Sequence, residues 1–184
     1  MIIENLLTSK KSRPFEKMEP ESITIHWIGP YPSHNPSGVR NWFEKGNDGS
    51  GSGSSAHFIV SENEILQCVP VNEKAWHAGD GRNGKGNSSS IGIEVIPDDK
   101  EGSFSGRTIA RLGELLSVLP KLPLVRHFDW SGKDCPKYYT PKAEDGEAGN
   151  GRWERLKETL GILRGDLPSG EEALKSRLEN ERDA

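Results

Sequence analysis

Residues 22–28 alternate. Ile23, Ile25 and Trp27 fall on one side, and Thr24, His26 and Ile28 on the other, the period-two signature of a strand. Gly29-Pro30 stops it. The alternation returns at 90–96, with Ile91, Ile93 and Val95 opposed to Gly92, Glu94 and Ile96. Residues 56–60 and 65–69 are short apolar runs around the turn formers Ser61-Glu62-Asn63-Glu64, which predicts a hairpin. Residues 125–127 read as the end of a further strand. Helical spacing runs through 37–45 (Val39, Trp42, Phe43) and through 107–119 (Ile109, Leu112, Leu115, Leu116, Leu119), where Ser105 or Gly106 starts the helix and Pro120 follows it. It recurs at 152–163 (Trp153, Leu156, Leu160, Leu163), with Asn150 available as a cap. Residues 2–7 read as a short helical turn, and Leu174 and Leu178 support a weak helix beyond Gly165. The order β, short α, ββ, β, long α, β, loop, α predicts a single α/β (α+β-like) domain, a central mixed β-sheet flanked by helices. That domain is expected over 1–164, with 165–184 a charged tail or the start of a connector.

A chain of 184 residues supports one core of ordinary size. Its net charge of −4 gives no basic field for nucleic acid or an anionic membrane, so neither is expected as a partner. Two cysteines do not make a disulfide framework. The first 20 residues lack the continuous apolar core of a signal peptide, and no run approaches the ~20 apolar residues of a membrane span. Synthesis in the cytoplasm without an export signal, and no membrane insertion, are the expectations. Two glycine- and serine-rich stretches, 46–55 and 79–90, read as groove-lining loops that order poorly unless a ligand lies against them.

Chemistry concentrates in 125–136, Val-Arg-His-Phe-Asp-Trp-Ser-Gly-Lys-Asp-Cys-Pro. Asp129, Ser131, Gly132 and Pro136 predict a loop that folds back and brings His127 to Cys135. Imidazole plus thiolate is a zinc-type pair, and His26 at its strand end is the best third ligand. Three protein ligands leave one position open, the coordination of a catalytic zinc site. Glu94 sits on a strand that otherwise reads as buried. There a carboxylate is paired, metal-facing or catalytic, unless the strand is an edge and Glu94 lies in water. Lys133 or His77 could stabilise an oxyanion beside the metal. Together these residues suit metal-assisted hydrolysis of an amide. Cys68, among apolar neighbours, reads as a small buried hydrophobe, and His34, in a Pro/Ser/Asn loop, as surface.

In order and spacing, IHWIG at 25–29, SSAHFIV at 54–60, WHAG at 76–79, SIGIEV at 90–95 and RHFDWSGKDCP at 126–136 resemble the zinc-dependent N-acetylmuramoyl-L-alanine amidases of the type-2 group. That group is related to the peptidoglycan recognition proteins and to amidase-type phage lysozymes. The resemblance covers about residues 20–163. It implies their fold, a Zn2+ ion on His26, His127 and Cys135, Glu94 as the catalytic acid on the central strand, and Lys133 as the lysine near the last ligand. The implied substrate is peptidoglycan or a muropeptide, cut between the lactyl group of N-acetylmuramic acid and L-alanine. Some members carry a tyrosine before the hairpin histidine; here Ala56 precedes His57, which assigns the work to Glu94 and makes His57 a supporting or core residue. A phage or prophage endolysin, released to the wall through a holin, fits the missing export signal. The alternatives are a muropeptide-binding module, a cytosolic muropeptide-recycling amidase, a structural zinc domain and a zinc peptidase of the stem or cross-bridge.

Overall fold

The computed structural model describes residues 1–29, 35–45, 53–143, 145–146 and 148–168. Six strands make one mixed sheet: β1 (Ile2–Glu4), β2 (Ser22–Trp27), β3 (Phe58–Val60), β4 (Ile65–Gln67), β5 (Ser90–Val95) and β6 (Leu124–Arg126). Their spatial order is β1-β4-β3-β5-β2-β6, all pairings being parallel except the β3–β4 hairpin. The helices are α1 (Pro36–Glu44), α2 (Lys85–Ser89), α3 (Gly106–Val118), α4 (His127–Ser131) and α5 (Ala148–Leu163), with a 3-10 turn at Lys137–Tyr139. The expected mixed α/β domain is what forms.

The two faces of the sheet differ, as the alternation in β2 and β5 requires. On one, Ile23, Ile25, Phe58, Ile91, Ile93 and Val95 pack against Leu112, Leu115 and Leu116 of α3 and Trp153, Leu156 and Leu160 of α5. Burying each such aliphatic side chain stabilises by about 1.5–3 kcal/mol, so this face holds the main core. On the other, Val39 and Phe43 of α1 cover Ile59, Leu66, Cys68 and Val69, with Leu7 and Ala75 beside them. Cys68 is fully buried, and its thiol is pushed up to about 12 by desolvation. That cover lies over the β3–β4 side. Under β2 and β5 the same face carries Thr24, His26, Gly92 and Glu94.

Several boundaries differ from the sequence reading. Residues 2–4 form an edge strand, not a helical turn, because their backbone pairs with Ile65–Gln67 and so short a segment cannot nucleate a helix alone. The hairpin strands are shorter than 56–60 and 65–69. The expected poorly ordered loop at 79–90 contains α2, which Asp80 holds by accepting from the Gly86 and Asn87 amides at 2.7 and 3.3 Å. His127 opens α4 where a strand end and loop were expected. Asn150 lies inside α5 and accepts from Arg126, so it is not a cap. Leu163 is 46% exposed, although its spacing places it on the apolar stripe. His34, residues 46–52 of the glycine-rich stretch, and the Leu174–Leu178 helix lie outside the described residues. Arg164 and Lys121 tie the end of α5 back to the loop after α3, through Leu122 and Asp166.

An ion-paired clasp fastens the N-terminal segment to the loop after β4. Glu73, its side chain 10% exposed, meets Arg13 at 2.8 Å and Lys17 at 3.3 Å. The hydrogen bond from Arg13 holds its carboxyl below the ordinary 4.5. A depressed carboxyl pKa contributes stability fully above the unfolded-state value and loses it as pH falls through the folded one. Glu73→Gln should therefore cost roughly 1–2 kcal/mol at neutral pH. The difference in urea midpoint between wild type and variant should close as pH drops below 4.5; a gap that stays constant to pH 3 would contradict this.

Candidate metal centre and its groove

The floor of the site is the uncovered half of the sheet. In the parallel β2–β5 pair His26 and Glu94 are register partners, so both project from the same face. His26 is 1% exposed and the Glu94 side chain 14%, with Glu94 Oε1 3.9 Å from His26 Nδ1. β5 pairs with β3 and β2 on its two sides, which removes the edge-strand alternative for Glu94. Gly92 shares this face. A Cβ there would lie 2.6–2.9 Å from atoms of the His77 ring, so glycine is what lets that ring lie on the sheet.

The wall is α4 and its return. β6 pairs with β2 and hands the chain to α4, placing His127 beside His26. Asp129 caps the helix by accepting from the Arg126 amide at 2.7 Å, and the Arg126 guanidinium pairs with it at 2.8 Å. The same guanidinium donates to Tyr139 O and Asn150 Oδ1, both at 2.8 Å, and so joins α4 to α5. Trp130 Nε1 donates to Thr24 Oγ1 at 2.8 Å, which pins α4 to the floor. Gly132 then takes a left-handed φ of 71° and turns the chain back, a conformation other L-residues rarely adopt. The Phe128 amide donates to Cys135 O at 2.9 Å, and the fold-back expected from the turn formers is made.

His26 Nδ1 lies 3.0 Å from His127 Nδ1 and 3.7 Å from Cys135 Sγ. The ligand atoms of the three residues all fall within 4.8 Å of one another, and all three residues are buried. Tetrahedral zinc with arms of 2.0–2.3 Å sets ligand atoms roughly 3.3–3.6 Å apart, so this triad matches the size of such a site. Two buried polar atoms beside it, Glu94 Oε2 and His127 Nε2, have no hydrogen-bond partner among the described residues. The donor set therefore fits a divalent cation with affinity for nitrogen and sulfur.

Desolvation dominates the electrostatics. It holds His26 well below its usual pKa, with His77, His127, Lys133 and His57 adding to the effect. It brings His127 and His57 to about 4 and His77 to about 3, so all four rings are neutral near pH 7, the form that can ligate or accept. It pushes Glu94 up to about 8 against the opposing charge of Lys133, and drives the Cys135 thiol up as well.

His77, like Lys133, lines the groove. It is 6% exposed, and both its ring nitrogens are engaged, Nδ1 with His26 Nε2 at 3.0 Å and Nε2 with Ser90 O at 3.1 Å. In this arrangement neither ring nitrogen is free to donate to a substrate. Lys133 is exposed at the rim and lines both depressions that meet over the triad, of about 740 and 680 Å³. His57 is a core residue: its Nδ1 accepts from the Gly92 amide at 2.9 Å and its Nε2 donates to Glu73 O at 2.8 Å. The sequence reading missed Asn87, whose Oδ1 accepts from the His77 and Ala78 amides at 2.8 and 2.9 Å and holds the Trp-His-Ala-Gly turn. It also missed Arg126, Trp130 and the groove-lining Trp42 and Trp76. Only Arg126 left a signal: its three-residue spacing from Asp129, a helix-cap pattern.

Residues 16–138 match the family described as N-acetylmuramoyl-L-alanine amidase. Among curated relatives, the N-acetylmuramoyl-L-alanine amidase CwlH of Bacillus subtilis (strain 168) is 37% identical over 135 residues, 70% of this chain and 52% of the relative. XlyA of the same strain, also an N-acetylmuramoyl-L-alanine amidase, is 33% identical over 145 residues, 76% of this chain and 47% of the relative. The chain thus spans about half the length of these curated relatives. The solved structure of the catalytic domain of XlyA aligns with a TM-score of 0.70 at 30% identity, over 88% of this chain and 99% of that one. A mutant endolysin from Bacillus subtilis aligns with a TM-score of 0.67 at 29% identity, over the same shares.

Proposed function

Since the chain belongs to the N-acetylmuramoyl-L-alanine amidase family, we propose that it hydrolyses the amide between N-acetylmuramic acid and L-alanine in peptidoglycan. On this reading zinc is held by His26, His127 and Cys135. The observation that carries the proposal is the convergence of those three ligand atoms within 4.8 Å at the base of a groove, with the half-buried Glu94 carboxylate alongside. Zinc on two imidazoles and a thiolate supplies a Lewis acid and, by lowering the pKa of water to ~7, hydroxide at neutral pH. Glu94 takes the proton of the attacking water and returns it to the departing L-alanine nitrogen. Its free Oε2 is the acceptor available for that task. Lys133 stands at the rim, where an ammonium offsets the charge that grows on the scissile carbonyl oxygen. The apolar wall of Val39, Trp42 and Phe43 excludes water from one side of the groove.

A wall-lysing, endolysin-type role is the proposed setting, in keeping with the endolysin from Bacillus subtilis that shares the fold at 29% identity. Purified cell walls separate it from its rivals. An amidase releases new L-alanine amino termini, a glycosidase new reducing ends, and an endopeptidase new amino termini within the stem or cross-bridge. Activity confined to soluble muropeptides would assign the recycling role, and binding without release of any new terminus would assign a recognition module.

Metal analysis of the purified chain should find one zinc per molecule. Chelation should abolish turnover, and Cys135→Ser should lose most of the bound metal. A metal-free preparation with full activity would overturn the zinc reading.

Glu94→Gln keeps shape and removes basicity. It should lower turnover by roughly 10²–10⁴ with the metal content unchanged. Lys133→Ala should lose roughly 10²–10³, the usual effect of one oxyanion donor. Near-normal turnover in Glu94→Gln with metal in place would locate the base elsewhere.

A further inference from the structure

The hydrogen bonds around His26 have a direction, and it can be read from one fixed end. Ser90 O is a backbone carbonyl and can only accept. His77 Nε2, 3.1 Å away, must therefore carry the proton. A neutral imidazole has one N–H, so His77 Nδ1 is bare and accepts. Its neighbour at 3.0 Å, His26 Nε2, must then donate. That commits the only N–H of neutral His26 to His77 and leaves Nδ1 bare, on the edge that faces His127 Nδ1 and Cys135 Sγ.

We propose that His77 is a positioning residue that locks His26 in its Nε2–H tautomer and thereby presents the Nδ1 lone pair to the metal. The proposal rests on the reading of His26, His127 and Cys135 as a metal site. The two imidazoles meet nearly at right angles, 89° between planes with centroids 5.1 Å apart, so the ring of His26 is fixed in orientation as well as in tautomer. The lock is built into the backbone on three sides. Gly92 leaves the space in which the His77 ring lies, because a Cβ would come within 2.6 Å of it. Asn87 Oδ1 takes the His77 and Ala78 amides and fixes the approach of the turn. Ser90 begins β5, the strand that also carries Glu94, so the same strand orients a ligand at one end and supplies the acid near the other. A ligand imidazole whose far nitrogen is held by an acceptor is more basic and better oriented, and losing such a partner typically costs 10–100-fold in metal affinity.

Two measurements test this. Long-range proton–nitrogen correlation spectra of the full chain report ring tautomers directly; they should show Nε2–H on His26, His77 and His57. An Nδ1–H signal from His77 would overturn the proposal, whether or not metal is bound. Zinc affinity, measured by competition with a chromophoric chelator at one fixed pH, supplies the second readout. His77→Leu should weaken binding roughly 10–100-fold. His77→Asn should retain most of the affinity, since its Oδ1 stands where Nδ1 stood and can accept from His26. Wild-type affinity in the leucine variant, or equal losses in both variants, would overturn it. Should the leucine variant fail to fold, the wild-type spectrum still decides. A wild-type chain that binds no zinc would instead sink the metal reading, and the tautomer signals would tell the two failures apart.

Discussion

The in-register parallel pairing of β2 with β5 is the constraint on which the site depends. It sets His26 against Glu94 and Ile25 against Ile93, with one pair toward the groove and the other in the core. A slip of either strand by one residue would turn its own polar residue, His26 or Glu94, into the apolar layer under α3 and α5 and bring its two isoleucines to the groove side. The burial of Ile23, Ile25, Ile91 and Ile93 on the core side enforces the register and the chemistry at once. His26 and Glu94 are thus positioned by apolar packing on the opposite face of the same two strands.

That face has to tolerate an unusual load of buried polar groups, and the fold does so by chaining them. Thr24, Ser90 and Trp130 form one hydrogen-bonded string, and Ser90, His77 and His26 form another. An unpartnered amide or hydroxyl buried there would cost about 1–3 kcal/mol. Each string ends on a backbone carbonyl or on the indole of α4, so these costs are met inside the protein. The carboxyl oxygen and imidazole nitrogen that stay unpaired, on Glu94 and His127, are in the residues to which the chemistry is assigned.

The strands of the floor were legible because β2 and β5 obey period two along their whole length, and a strand covered differently on its two sides has no other pattern. His26 and Glu94 could be set on one face from parity alone. The long helix α3 was legible for the same reason at period 3.6. What failed was structure decided by partners far along the chain. β1 owes its conformation to β4, some sixty residues on, and neither periodicity nor propensity records such a contact. His77 shows the limit most clearly. Its residue type and its place in a glycine-bounded turn suit an oxyanion partner as well as a support for a ligand. Only the distances to Ser90 O and His26 Nε2 separate the two roles.

The electrostatics of the cluster follow from burial more than from any single pair. Desolvation keeps the imidazoles neutral while it holds the thiol and the Glu94 carboxyl toward their protonated forms. Neutral imidazoles are already in the ligating state, whereas the protonated thiol and carboxyl are not, and a nearby positive charge favours the ionised form of both. A divalent cation held by the triad, as the proposed function has it, would supply that charge and favour the Cys135 thiolate and the Glu94 carboxylate together. Lys133 alone pulls both groups in the same direction, but from an exposed position where water screens it. The division follows from where the fold puts each group: Lys133 is exposed to solvent, and the triad is buried beside Glu94.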